Sequence, residues 1–223
     1  ERINREKSMN DLMEILKTCS SEYFLDTIRL RRQIHQYPEL SGHEHITARY
    51  ICSTLKSYGI PSHLYLNETA VVAILEGQEN TGKTLALRAD TDALPIEEQS
   101  DKTYASTNKG IMHACGHDAH IASLLTVARI LNQHKNKWKG KIALIFQPSE
   151  EEYPGGAIRL IKEGILTNYQ IDAALALHVS PEIDTGKIGI KAGEFMASTD
   201  EIHINIEGKA GHAALIHTFI NPI

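Results

Sequence analysis

Short apolar runs separated by helical stretches constrain the fold of this 223-residue chain more than any other feature. VVAILE, TLALRAD, KIALIFQ and AALALHV are rich in Leu, Ile, Ala and Val and bounded by turn signals. That is the pattern of buried strands in an α/β sheet. Apolar residues at helical spacing predict helices near residues 43–58, 118–134 and 156–163. Upstream, Ser8 with Asp11 reads as a capping pair for a first short helix, and Ser21 as the opening of a second, which has stopped by Pro38.

The runs lead into residues that carry chemistry. TLALRAD reaches Asp90 and Asp92, KIALIFQPSE reaches Glu150 and Glu151, and IDAALALH reaches His178. Sites in open α/β sheets form at the carboxyl ends of strands, so these residues are expected to gather at one sheet edge. MHACGHDAH, residues 112–120, adds histidines, Cys115 and Asp118 on a loop entering the helix marked by Ile121, Leu124, Leu125, Ala128 and Leu131. Thiolate, imidazole and carboxylate together suit zinc, and also manganese, iron or nickel. Singly, each residue has an ordinary reading. Asp118 is placed to cap its helix, strand-end acids are commonly solvated loop charges, and a strand-end histidine is commonly just hydrogen-bonded. Their joint occurrence favours a shared metal centre.

Composition narrows the partners. A formal net charge of -5 and low aromatic content, with one Trp and four Phe, argue against nucleic-acid binding. Arg29, Arg31 and Arg32 read as a solvated helix face, with Phe24, Leu25 and Ile28 on another side. Cys19, Cys52 and Cys115 are widely scattered and odd in number, which fits a reducing, cytoplasmic compartment rather than a disulfide framework. No apolar stretch approaches the roughly 20 residues of a membrane span, and ERINREKS does not read as a secretory leader. The first residue is Glu rather than Met, so the natural start is expected upstream.

From about residue 194 the pattern changes. In EIHINIEG, Ile202, Ile204 and Ile206 alternate with His203, Asn205 and Glu207, which predicts a strand with one buried face. The expected organisation is a catalytic domain over residues 1–193 and the start of a second domain over 194–223.

RRQIHQYPELSGHE, LALRADTDALPIEE, MHACGHDAH, FQPSEE followed by GGA, LALHV and GKAGHAA resemble the successive signature blocks of M20-type metallo-amidohydrolases. They are most similar to the branch of N-acyl-amino-acid amidohydrolases, hippurate hydrolases and auxin-conjugate hydrolases, and cover roughly residues 31–217. The resemblance implies a three-layer α/β/α zinc-peptidase-like catalytic domain, followed by a smaller α+β lid or dimerisation domain. It implies two divalent ions, manganese or zinc with cobalt or nickel as alternatives, held by Cys115, His117, Glu151 and His178. Glu150 matches the catalytic base and Asp92 the carboxylate supporting the centre from behind. His212 of GHAA matches a histidine that reaches into the active site of a partner subunit, to bind the substrate carbonyl or stabilise the oxyanion, so a homodimer is implied. Leu215 and Ile216 replace a usual Pro before the histidine matching His217. Relatives continue past Ile223 and donate a further histidine ligand, so a truncated form is expected. Substrates would be N-acyl amino acids or small peptides. Two other readings stand beside this one: a thiol hydrolase using Cys115 as nucleophile, and a metal-stabilised module that binds a partner without turnover.

Overall fold

A computed structural model describes residues 2–195, 202, 204–212, 214, 215, 217, 220 and 221. In chain order the elements are α1 (Arg2–Glu22), α2 (Phe24–Gln36), α3 (His45–Ser57), β1 (Ser62–Tyr65), β2 (Ala70–Glu76), β3 (Thr84–Asp90), α4 (His117–Gln133), a 3-10 turn (Lys135–Lys137), β4 (Lys141–Gln147), α5 (Gly156–Lys162), α6 (Ile165–Asn168) and β5 (Ala173–Ala176). The strands form one mixed sheet in the order β1-β2-β4-β3-β5. β2 runs antiparallel to both β1 and β4, whereas β3 runs parallel to both β4 and β5. The carboxyl ends of β3, β4 and β5 therefore lie along one edge.

Strand alternation explains the layers. Val71, Ala73, Leu75, Ala89, Leu144 and Phe146 pack with Ile34 of α2, Ile51 and Leu55 of α3, and Ile121 and Leu125 of α4. Their neighbours Ala70, Val72, Ala86, Ala143 and Ile145 face the opposite way, against Leu160 of α5 and Ile165 of α6. Helices thus cover both faces of the sheet, giving the expected α/β/α sandwich.

Several local expectations need correction. Ser8 lies inside α1, which runs through the expected cap. Ser21 is also within α1, its hydroxyl donating to the Lys17 carbonyl at 3.1 Å, and α2 begins only at Phe24. Phe24 and Leu25 are more than half exposed. AALALHV carries the pattern of a buried strand, yet the β5 side chains are exposed: β5 is the outermost strand of the sheet and, among the described residues, pairs with β3 alone.

The chain divides into two compact units, Glu1–Ser180 and Pro181–Ile223. In the second, Lys209 and Ile220 exchange two backbone hydrogen bonds of 3.0 Å. The strand expected over 201–208 is not formed at its described residues: Ile202, Ile204 and Ile206 are 81, 78 and 65% exposed. An alternating pattern becomes a strand only when a neighbouring strand receives its backbone bonds, and the described residues supply none.

Candidate metal centre

The parallel strand ends build the site. β3 delivers Asp90 and Asp92, both essentially unexposed, so they are not solvated loop charges. Beyond β4 the backbone turns through Ser149 at φ 51°, where the Glu44 carboxylate accepts the Ser149 N–H at 2.7 Å. Asp92 accepts the Glu151 N–H at 2.9 Å and the Ser41 hydroxyl at 2.6 Å, tying the two strand ends together. β5 leads to His178 and Val179. Facing them, Gly116 opens α4 at φ 86°, and a Cβ there would stand 2.5 Å from Val179 Cγ2. Glycine is required by both its backbone angle and this close approach.

His117 is the hub. Its Nδ1 lies 2.9 Å from the Asp92 carbonyl oxygen, so that nitrogen carries the proton and Nε2 presents a lone pair. His117 Nε2 is buried without a hydrogen-bond partner. Around it stand Asp90 Oδ2 at 3.6 Å, Glu151 Oε1 at 3.7 Å and Glu150 Oε2 at 3.9 Å. His178 repeats the arrangement, with Nδ1 2.6 Å from the Val179 carbonyl and Nε2 3.4 Å from Cys115 Sγ. Cys115, His117 and His178 offer ligand atoms within 4.8 Å of one another, and so do His117, Glu150 and Glu151.

This donor set fits divalent cations. Ligands about 2.1–2.3 Å from one tetrahedral ion lie roughly 3.4–3.8 Å apart, which matches these spacings. A buried acceptor facing only other acceptors needs a positive charge between them, and ligating histidines characteristically donate their second nitrogen to a carbonyl or carboxylate. The electrostatics agree. Burial and then the neighbouring Glu151 push the Cys115 thiol up to about 12, and the same two causes raise Glu150. Burial alone would raise Asp92, but hydrogen bonds from His117, Ser41 and the Glu151 N–H hold it near 2. Burial would lower His117, yet Asp92 and Asp90 raise it.

The residues singled out in the sequence, Cys115, His117, Glu150, Glu151, His178 and Asp92, meet at this edge. His212 belongs to the second unit, where its Nδ1 accepts the Ala214 N–H at 3.2 Å. Asp118 is not a helix cap: α4 has no side-chain cap, and Asp118 instead accepts Arg31 Nε and His35 Nδ1, each at 2.8 Å. Arg31 is thereby half-buried in an ion pair rather than part of a free basic face. Sequence reasoning gave no role to Glu44 or His120. His120 lies three residues after His117, a helical spacing that could have marked it.

Two curated relatives share most of this chain. N-acetyl-L-cysteine deacetylase of Bacillus subtilis (strain 168) is 46% identical over 219 residues, covering 96% of this chain and 51% of the relative. N-acyl-L-amino acid amidohydrolase of Geobacillus stearothermophilus is 42% identical over 213 residues, covering 94% and 56%. The chain spans about half the length of the curated relatives it matches. A Bacillus subtilis crystal structure, of a dinuclear metal binding peptidase from the M20 family, superposes with a TM-score of 0.73 at 38% identity, covering 78% of this chain and 48% of that one. With residues 86–218 also matching peptidase family M20/M25/M40, the chain belongs to that family.

Proposed function

We propose that this chain forms the metal-binding part of a hydrolase that cleaves the amide bond of N-acyl amino acids or small peptides. The observation that carries this reading is the division between two adjacent carboxylates at the His117 hub. The Glu151 side chain is the more buried of the two, 25% exposed with Oε1 3.7 Å from His117 Nε2, whereas the Glu150 side chain is 38% exposed with Oε2 3.9 Å away, on the open side where substrate and water would arrive. Cys115, His117, Glu151 and His178 would hold the cations, two per site, as zinc, manganese, cobalt or nickel. When bound, they supply Lewis acidity that makes water a nucleophile near neutral pH and polarises the substrate carbonyl. Glu150 accepts the proton from the attacking water and passes it to the departing amine nitrogen. Asp92 orients His117 and the Glu151 backbone without touching substrate.

Support for the substrate class comes from relatives named as a deacetylase and an amidohydrolase. His212 as the group that meets the substrate carbonyl, a homodimer through residues 194–223 and a cytoplasmic location belong to the same proposal. The three free thiols fit that location, and no helix among the described residues is long and apolar enough to cross a membrane. A thiol-nucleophile reading fits poorly, because Cys115 is held protonated by its surroundings, the reverse of an activated thiol.

The test pairs Glu150→Gln with Glu151→Gln. Glu150→Gln should retain metal by elemental analysis and lose hydrolysis of N-acetyl and N-benzoyl amino acids, by about 10²-fold or more. Glu151→Gln should also lose metal. Equal metal content and equal activity in the two variants would defeat the assignment.

A further inference from the structure

His120 lies on the same face of α4 as His117 and touches the site, but both of its ring nitrogens are already committed. Nδ1 stands 2.5 Å from Asp90 Oδ1, and Nε2 accepts the Val179 N–H at 3.0 Å. A carboxylate can only accept, and a backbone N–H can only donate. The ring is therefore the neutral Nδ1–H form with its one lone pair used by Val179. Asp90, His117 and His120 do bring ligand atoms within 4.8 Å of one another. No lone pair remains on His120 for a cation.

Asp90 is itself anchored, its Oδ2 accepting Arg88 Nη1 at 2.8 Å, while Arg88 Nε donates to Gln147 Oε1 at 2.8 Å. At the other end, Val179 is held on both sides of its backbone. Its N–H goes to His120, and its carbonyl accepts His178 Nδ1 at 2.6 Å. That second bond turns His178 Nε2 toward Cys115 Sγ, 3.4 Å away. The His178 side chain is exposed, and its ring stands edge-on to His120 with centroids 4.8 Å apart. An exposed ring at the end of an edge strand keeps one orientation only if something fixes its backbone partner.

We infer that His120 is a positioning residue: the chain Arg88, Asp90, His120 and the Val179 backbone sets the tautomer and direction of His178. This rests on His178 being a ligand in the proposed function. Residues that orient metal ligands from outside the coordination sphere typically change affinity on the order of 10–100-fold when altered.

The test begins with the unmutated protein. With metal removed, ¹⁵N NMR should show both His120 and His178 as Nδ1–H tautomers, and the Val179 amide should exchange slowly. A His120 that is doubly protonated or carries its proton on Nε2 overturns the inference. His120→Gln places an acceptor near the old Nε2 position and should keep Val179 protected, with zinc affinity, measured by chelator competition, within a few-fold of the parent. His120→Asn reaches only the Nδ1 position. It should expose the Val179 amide, mix the His178 tautomers and weaken zinc binding on the order of 10–100-fold. Equal loss of zinc in both variants, with Val179 still protected and the His178 tautomer unchanged, would mark His120 as a ligand and overturn the inference. His178→Ala is the separate control. Undiminished zinc binding there would refute the ligand role of His178, while the NMR measurements would still decide what His120 does.

Discussion

Replacing Glu44 with Gln removes a buried proton-binding site whose size the structure sets. Glu44 is 0% exposed, one carboxylate oxygen accepts the Ser149 N–H at 2.7 Å, and the other has no partner. Burial is the main reason its pKa rises from 4.5 to about 7. An acid that holds its proton more tightly when folded contributes stability that is fully present below about pH 4.5 and is lost as pH rises through 7. At 1.36 kcal/mol per pKa unit the loss is about 3 kcal/mol across that window. Glutamine keeps an acceptor for Ser149 but puts an unpartnered amide where the second oxygen was, a pH-independent cost of about 1–3 kcal/mol. Urea unfolding of the metal-stripped parent and variant at pH 5, 6, 7 and 8 separates the two effects. The parent should hold its largest advantage at pH 5 and lose about 2–3 kcal/mol of it by pH 8. A parent-minus-variant difference that stays constant over this range would refute the reasoning.

Gly116→Ala should destabilise the fold by at least the ~1–2 kcal/mol of a left-handed non-glycine residue, and the contact with Val179 should reduce bound metal. Denaturant midpoint and elemental analysis check both effects; unchanged values would show that the α4 entry relaxes freely. Chelation should lower the thermal midpoint, and restoring zinc or manganese at 100 times its Kd should return about 2.7 kcal/mol. His117→Ala should abolish that response, because His117 is common to every donor group at the hub.

Much of the site was legible because strand ends announce themselves. An apolar run followed by acids or histidine placed Asp92, Glu150, Glu151 and His178 at one edge, and β3, β4 and β5 carry them there. The elements that local rules misjudged are those decided by distant partners. Asp118 obeys the local signature of a cap, yet Arg31 and His35 of α2 claim its carboxylate. Glu44 has no signal in its own neighbourhood, since its partner Ser149 follows a strand far along the chain. Asp90 looks like a loop charge until Arg88 and His120 close around it. The alternation of Ile202, Ile204 and Ile206 is a real strand pattern, but a strand pattern states a need for a neighbour and does not supply one.

The parallel pairing of β3 with β4 and β5 bears on how the protein matures. Ala86 pairs with both Ala143 and Ala174, and no tight hairpin can join parallel strands, so these contacts close only after most of Glu1–Ser180 has been synthesised. Until they do, Cys115 and the histidines behave as scattered, independent side chains, open to oxidants and to whichever ion the nascent polypeptide meets first. If these residues hold cations as proposed, loading would be a late event, gated by completion of the sheet rather than by the order in which the donor residues leave the ribosome.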